Sequence, residues 1–169
     1  PSELRQLRQR VCWKLETVKG RVTKVPYTPR NLKASTTDPQ TWESFDVCLA
    51  TYGRDKSFNG IGFVFADGGE YTGIDFDHHR DPATGELDAF AQQHVSRLNS
   101  YTEISQSGTG VHVIARGVIP SEKGRRDAKR GIEMYSKARF FVMTGQHVDG
   151  TPRTVEERQE AVAGMFREL

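Results

Sequence analysis

The pattern of hydrophobic and polar positions predicts short strands interrupted by a few amphipathic helices. Apolar or alternating runs typical of strands lie at 11–16, 21–27, 60–66, 69–77, 101–105, 111–115, 131–135 and 139–145. Apolar residues at helical spacing predict helices at 38–53 and 87–98. The segment 2–10 resembles a short basic helix, and a Thr-Val-Glu-Glu capping box predicts a last helix from Thr154. The polar segment 119–130 predicts a loop.

Turn residues between these runs predict two β-hairpins. Lys19-Gly20 joins the first two strands, and Asp67-Gly68-Gly69 joins the third and fourth. The helix after the first hairpin is predicted to begin at Asp38, with Leu49 and Tyr52 among the residues of its core-facing side.

The order of these elements predicts an α+β fold. A strand, strand, helix, strand, strand order resembles the split βαβ, RRM-like family of small sheets covered by helices, here with an N-terminal hairpin-plus-helix unit in front. A chain of 169 residues suits one domain, and we predict an N-terminal unit at about 1–57 and a catalytic unit at about 58–169. Because the chain starts at Pro1 and stops within a helical pattern, we expect it to be part of a longer protein.

Composition narrows the possible functions only slightly. The formal net charge of +2, from 24 basic and 22 acidic side chains, gives no argument for nucleic-acid binding, which has to rest on local clusters. Cys12 and Cys48 lie far apart, in no metal-ligand spacing, and are expected to be buried thiols in a reducing compartment. No apolar run approaches the roughly 20 residues of a membrane span, and no signal peptide is evident.

The strand at 69–77 carries the first chemical signal. Side chains alternate along a strand, so Thr72, Ile74 and Phe76 face one way while Asp75 and Asp77 face the other, roughly 7 Å apart at their Cα atoms. Two such carboxylates can converge on a divalent cation, which relieves their mutual repulsion. Two solvated acids at the end of a strand are the alternative interpretation.

Two further strands strengthen the metal hypothesis. Glu133 points away from the apolar side of its strand, and three carboxylates can hold two ions for a phosphoryl displacement, Mg²⁺ or Mn²⁺ being suited to oxygen ligands. The turn from Ser105 to Gly110 can present backbone N–H groups to a phosphate, and His112 follows it. A plain β-turn and an exposed edge-strand glutamate are the alternatives.

Taken in order, these motifs resemble those of archaeo-eukaryotic-type primases, and in particular the primase-polymerase domains of phages, plasmids and mobile elements. The matching segments are Gly73-Ile74-Asp75-Phe76-Asp77, Ser105 to His112, and Gly131-Ile132-Glu133-Met134-Tyr135. Flanking segments agree, including Thr37 to Trp42 and Arg139-Phe140-Phe141, so the resemblance covers nearly the whole chain.

The resemblance implies template-directed nucleotidyl transfer by a DNA primase/DNA polymerase, with two Mg²⁺ or Mn²⁺ ions. Asp75, Asp77 and Glu133 are the implied catalytic and metal-binding residues. The implied nucleotide-binding residues are Ser105, Ser107, Gly108, Gly110, His112 and Arg139. Contacts with nucleic acid are expected at Lys24, Lys33, Arg125, Arg126, Lys129 and Arg130. The loop with Ser35 and Thr36 is a further candidate. The alternative interpretation of the basic run 123–130 is an ordinary solvated loop.

The resemblance also implies partners: nucleoside triphosphates, single-stranded or primed DNA, and a helical primase C-terminal domain with a helicase, in the cytoplasm of a bacterial or phage-infected cell and without a membrane. Two distant cysteines argue against the zinc cluster of many such primases. Three other hypotheses stay open: a single-strand-binding RRM-like module, a rolling-circle nuclease using Tyr135, and a phosphoesterase suggested by Asp77-His78-His79.

Overall fold

The computed structural model, which describes residues 1–169, contains two antiparallel sheets and four α-helices and confirms the α+β class. The elements in chain order are α1 (Ser2–Gln6), β1 (Arg10–Val18), β2 (Arg21–Tyr27), α2 (Phe45–Arg54), β3 (Gly60–Phe65), β4 (Tyr71–Phe76), α3 (Ala89–Leu98), β5 (Tyr101–Ile104), β6 (Val111–Arg116), β7 (Arg125–Asp127), β8 (Ile132–Tyr135), β9 (Arg139–Met143) and α4 (Gln159–Glu168). The RRM-like comparison stays a prediction.

The strands form a four-stranded sheet in the order β2-β1-β3-β9 and a five-stranded sheet in the order β5-β6-β4-β8-β7. The predicted hairpin of β1 and β2 is confirmed. The predicted hairpin of β3 and β4 is wrong, because the two strands lie in different sheets. β3 pairs with β1 and β9, and β4 pairs with β6 and β8, so neither strand has a free edge for the other.

Two layers of apolar side chains hold the sheets and helices together. Ile74 and Phe76 lie in the larger core, which packs the five-stranded sheet against α3 and α4. Tyr71, on the opposite face of β4, packs between the two sheets with Phe65 and Phe141. The predicted alternation along β4 is therefore confirmed.

Gly73 allows the two sheets to approach at this point. A Cβ atom on Gly73 would lie 2.3 Å from Cζ of Phe65 and 2.6 Å from Cε2 of Phe141. The inter-sheet packing therefore requires glycine on the cleft-facing side of β4, between Tyr71 and Asp75.

The predicted start of the second helix is wrong. The Asp38 side chain accepts a hydrogen bond from Gln40 N–H and initiates only a short 3₁₀ turn, while α2 begins after Ser44, whose hydroxyl accepts from Val47 N–H. With the helix starting there, Leu49 and Tyr52 are 45% and 40% exposed, and do not belong to its core-facing side.

Three other predicted segments also differ. α1 ends at Gln6, because the backbone from Arg10 onward pairs with β3. The segment around Arg126 is a short strand, β7, paired with β8, and not a loop. The capping box at Thr154 is wrong: the backbone before α4 bonds to β6 through Arg116 N–H to Glu156 O and Arg158 N–H to Arg116 O, which delays the helix to Gln159.

The predicted burial of the two cysteines is confirmed. Cys12 and Cys48 are buried free thiols. His94 is buried on α3 against the rings of Phe76 and Phe90, as a structural histidine. None of the helices combines the length and apolar character needed to cross a bilayer. The division near residue 57 stays a prediction; β3 and β9, which follow it in the chain, complete the sheet begun by β1 and β2.

Candidate active site

The register of the five-stranded sheet places one polar residue from each strand in a single row. The row runs Glu103 (β5), His112 (β6), Asp75 (β4), Glu133 (β8) and Arg126 (β7), each the direct cross-strand partner of the next. Cross-strand partners point to the same face of a sheet. The row therefore crosses the face opposite α3 and α4.

The three predicted catalytic acids lie on this face. Asp75 and Glu133 are direct partners on adjacent strands, and Asp77 follows the end of β4, where its N–H donates to Gly131 O. All three line a cleft of about 880 Å³ between the row and the β1–β2 hairpin. The other lining residues are Leu15, Val22, Thr23, Lys24, Pro26, Ala34, Ser35, Thr36, His112, Arg126, Ala138, Arg139, Phe140, Phe141 and Val142.

The environment of Asp75 disfavours the charged form of its side chain. Burial raises the pKa of its carboxyl, and the negative charges of Asp77 and Glu133 raise it further, while His112 and Lys24 oppose the shift. One of its oxygens, Oδ1, is buried without a hydrogen-bond partner. His112 Nε2 faces this oxygen at 3.4 Å, and a bound cation would give it a closer partner.

Glu133 is neutralised by two arginines. Arg126 Nε lies 2.9 Å from its Oε1, and an Arg139 terminal nitrogen lies 2.8 Å from its Oε2. Arg139 also lies over the Tyr135 ring, 4.6 Å from its centroid. Both carboxylate oxygens of Glu133 are therefore occupied by cationic side chains.

These contacts decide how well a metal would fit. No group of three His, Cys, Asp or Glu side chains converges closely enough to hold an ion as the side chains stand. The donors are nevertheless carboxylate oxygens, which suit Mg²⁺ and Mn²⁺. Asp75 Oδ1 has no hydrogen-bond partner and faces His112 Nε2 at 3.4 Å, and both oxygens of Glu133 are paired with arginines. A divalent cation would bind these acids only if the side chains exchanged partners.

The turn from Ser105 to Gly110 adjoins the acidic end of β4. Gly108 has a φ of +78°, and a Cβ on Gly110 would lie 2.4 Å from Phe76 O. The hydroxyls of Ser105, Ser107 and Thr109 form a chain with oxygen separations of 3.0 and 2.9 Å. The turn is thus a tight, hydroxyl-rich structure that requires glycine beside Asp77.

Arg80 holds this turn in place and was not anticipated from the sequence. Its guanidinium donates to Gly108 O at 2.7 Å, and its backbone N–H donates to Thr109 O at 2.8 Å. The neighbouring His79 lies close to Asp88 and Arg130 O through its two ring nitrogens, at 2.7 and 2.6 Å, and so ties the loop to the start of α3. His78 is exposed, with Nε2 3.3 Å from Asp77 Oδ2.

The predicted nucleic-acid-binding residues fall into two groups. Lys24 and Arg126 line the cleft. Arg125 instead donates to Phe166 O, on the helix-covered side of the sheet. Lys33 pairs with Glu16 at 2.6 Å. Lys129 and Arg130 are not among the residues that line the cleft, and their backbone N–H groups donate to Asp127 Oδ1.

Glu103 is a second site residue that the sequence did not single out. Its side chain is fully buried. The available signal was an acid between Thr102 and Ile104 in a predicted strand, which by alternation alone is indistinguishable from an exposed position.

Comparison with known proteins agrees with the resemblance in the motifs. No protein-family model matches the chain. A DNA primase-polymerase of Nitratiruptor phage NrS-1 is 36% identical over 167 residues, which is 95% of this chain and 22% of the phage protein. The chain thus spans about a fifth of the length of that relative. Over nearly its whole length, the chain is a relative of a phage DNA primase-polymerase.

Proposed function

We propose that this domain is a template-directed nucleotidyltransferase, the catalytic core of a DNA primase/DNA polymerase. The observation that carries the proposal is the pairing of Asp75 with Glu133 on adjacent strands, with Asp77 in the same cleft. The similarity to a phage protein named DNA primase-polymerase supports the same conclusion.

In this proposal Asp75, Asp77 and Glu133 hold two Mg²⁺ or Mn²⁺ ions. Bound there, the ions would activate the attacking oxygen and neutralise charge on the leaving group. The reaction joins the primer 3′-oxygen to the α-phosphorus of the incoming nucleotide, breaks the bond to the β-phosphate oxygen and releases pyrophosphate.

The protein contributes position and charge to this step. The triphosphate would be bound by His112 and by the turn residues Ser105, Ser107, Gly108 and Gly110, whose backbone and hydroxyls offer hydrogen bonds beside Asp77. Arg139 and Arg126 stand next to Glu133. If Glu133 held a metal ion, these guanidinium groups would be available for phosphate oxygens.

The primer and template would enter through the wide cleft between the row and the β1–β2 hairpin, where Lys24 and Arg126 can meet phosphates. We further propose that the domain acts in phage or mobile-element replication, in the cytoplasm of the host cell, together with a helical primase domain and a helicase. Lys33 and Arg125 do not line the cleft, so we do not assign them contacts with the primer or template there.

A primer-extension assay tests the proposal. The wild-type chain is incubated with primed DNA and ribo- or deoxynucleoside triphosphates, with Mg²⁺, Mn²⁺ or chelator, beside an Asp75→Ala/Asp77→Ala double variant. We expect metal-dependent extension that follows the template and is absent from the double variant. DNA binding without extension would favour a binding module, and a tyrosine-linked DNA product would favour a nuclease.

A further inference from the structure

Glu103 is a fully buried acid at one end of the polar row. Three donors fix its carboxylate: the Tyr101 hydroxyl at 2.9 Å, Thr144 N–H at 2.9 Å and Gly145 N–H at 3.1 Å. A buried carboxylate normally has an ionic partner as well. The basic side chain within 4 Å is His112, whose Nδ1 lies 3.8 Å from Glu103 Oε1.

His112 is confined on three sides. Its ring packs on Phe141 with the centroids 5.1 Å apart. Its Nε2 faces Asp75 Oδ1 at 3.4 Å, and its Nδ1 is buried without a hydrogen-bond partner. The two ring nitrogens therefore point in opposite directions along the row, Nδ1 towards Glu103 and Nε2 towards the acids of the cleft.

We propose that Glu103 is the positioning residue of His112. The Glu103 carboxylate attracts Nδ1–H, which fixes the ring rotamer and tautomer and directs Nε2 to the cleft. At 3.8 Å the contact is electrostatic and not a hydrogen bond, and a carboxylate at this position favours the proton on Nδ1, which leaves Nε2 for the cleft. Supporting carboxylates orient histidines that bind metals in a comparable way. The effect on nucleotide binding rests on the proposed function, whereas the effect on the ring does not.

The proposal has to be separated from a purely structural role, because Glu103 also ties β5 to the chain just after β9. Glu103→Gln keeps the side-chain shape but replaces one carboxylate oxygen with an NH₂ group. In one orientation the NH₂ group would face Thr144 N–H and His112, and in the other it would face the Tyr101 hydroxyl and Gly145 N–H. Either orientation places a donor against other donors. Tyr101→Phe is the matched control, since it removes one donor to Glu103 and leaves the carboxylate opposite His112.

The experiment is a double-mutant cycle read by titration with a non-hydrolysable dATP analogue and Mg²⁺, with thermal melting to check folding. We expect Glu103→Gln to weaken nucleotide binding about tenfold in the wild-type background. In a His112→Ala background the same substitution should cause no further loss of affinity. The affinity of Tyr101→Phe should stay within about twofold of wild type. An equal loss in both backgrounds would assign Glu103 a structural role only and overturn the proposal.

Nitrogen-15 NMR of the histidine rings decides the point without a nucleotide. The chain has five histidines, and the His112 signals are assigned by their absence in His112→Ala. We expect a protonated Nδ1 in wild type and a changed Nδ1 signal in Glu103→Gln. An unchanged signal would refute the positioning role. If Glu103→Gln changes the His112 ring signal but His112→Ala binds the nucleotide as tightly as wild type, the positioning role stands and the nucleotide-binding role of His112 is refuted.

Discussion

The two faces of the five-stranded sheet are made by the same strands and differ in almost every physical respect. Towards α3 and α4, β4 and β8 present side chains such as Ile74 and Met134, which are fully buried in one apolar core. Towards the cleft, the adjacent residues of the same strands are Asp75, which has an oxygen without a hydrogen-bond partner, and Glu133, which is paired with two arginines. Because side chains alternate along a strand, residues that stabilise the fold and residues assigned to chemistry lie only one position apart in the chain.

The largest expected effect on stability comes from the helix-covered face. Ile74→Ala removes a fully buried side chain beside Asp75, and we expect the free energy of unfolding to fall by about 2–5 kcal/mol. Extension activity per folded molecule should stay near that of the wild type at low temperature. Urea unfolding and primer extension measure the two quantities, and a folded Ile74→Ala protein without activity would remove the distinction between the faces.

Arg125 and Arg126, adjacent on β7, allow the two faces to be compared on one strand, with smaller expected changes in stability and DNA binding. Arg126→Gln should weaken DNA binding and reduce the slope of log affinity against log salt by about one, because it removes a cleft cation. Arg125→Gln should leave the slope unchanged and lower the free energy of unfolding by about 1 kcal/mol, since it loses a hydrogen bond to Phe166 O and a cation–π contact with Phe166.

The two slopes are measured by fluorescence anisotropy with labelled single-stranded DNA over a salt series. A reduced slope in Arg125→Gln, or an unchanged one in Arg126→Gln, would contradict the assignment of the two side chains to opposite faces.

The smallest expected effect is a pH dependence of stability at His94. Burial lowers the pKa of this histidine below its usual 6.5, so the unfolded chain binds the proton more readily and stability falls as the pH drops below 6.5. His94→Phe removes the titration without breaking a hydrogen bond, because Nδ1 has no partner and the neighbours Phe76 and Phe90 are apolar.

Thermal melting between about pH 7 and 5 should therefore decline less steeply for His94→Phe than for wild type. Identical declines in the two proteins would show that other groups control the acid sensitivity.

Local patterns predicted the strands and faces of the site well, because side-chain alternation depends only on neighbouring residues. β4 and its alternation are confirmed at Ile74 and Phe76, and the register brings Asp75 opposite Glu133. Strand pairing and helix starts depend on distant parts of the chain. The local sequence of β3 and β4 predicts a hairpin, but β3 pairs with β1 and β9, and β4 pairs with β6 and β8.

The polar row was only partly predictable for the same reason. A glutamate in a four-residue strand carries no local sign that it will be buried, and the burial of Glu103 depends on donors from Thr144 and Gly145, about 40 residues later in the chain. Similarly, β7 forms because Arg126 finds a partner strand in β8, although its own sequence is that of a polar loop.

The most direct test of the central claim is primer extension by Asp75→Asn, run beside thermal melting without metal. Because the pKa of Asp75 is raised in the folded chain, ionisation at higher pH costs stability, and the neutral amide removes that cost. We predict a melting temperature equal to or above that of wild type, together with a loss of extension of at least about a hundredfold. A folded Asp75→Asn protein that extends primers at the wild-type rate would contradict the assignment of this face as the catalytic site.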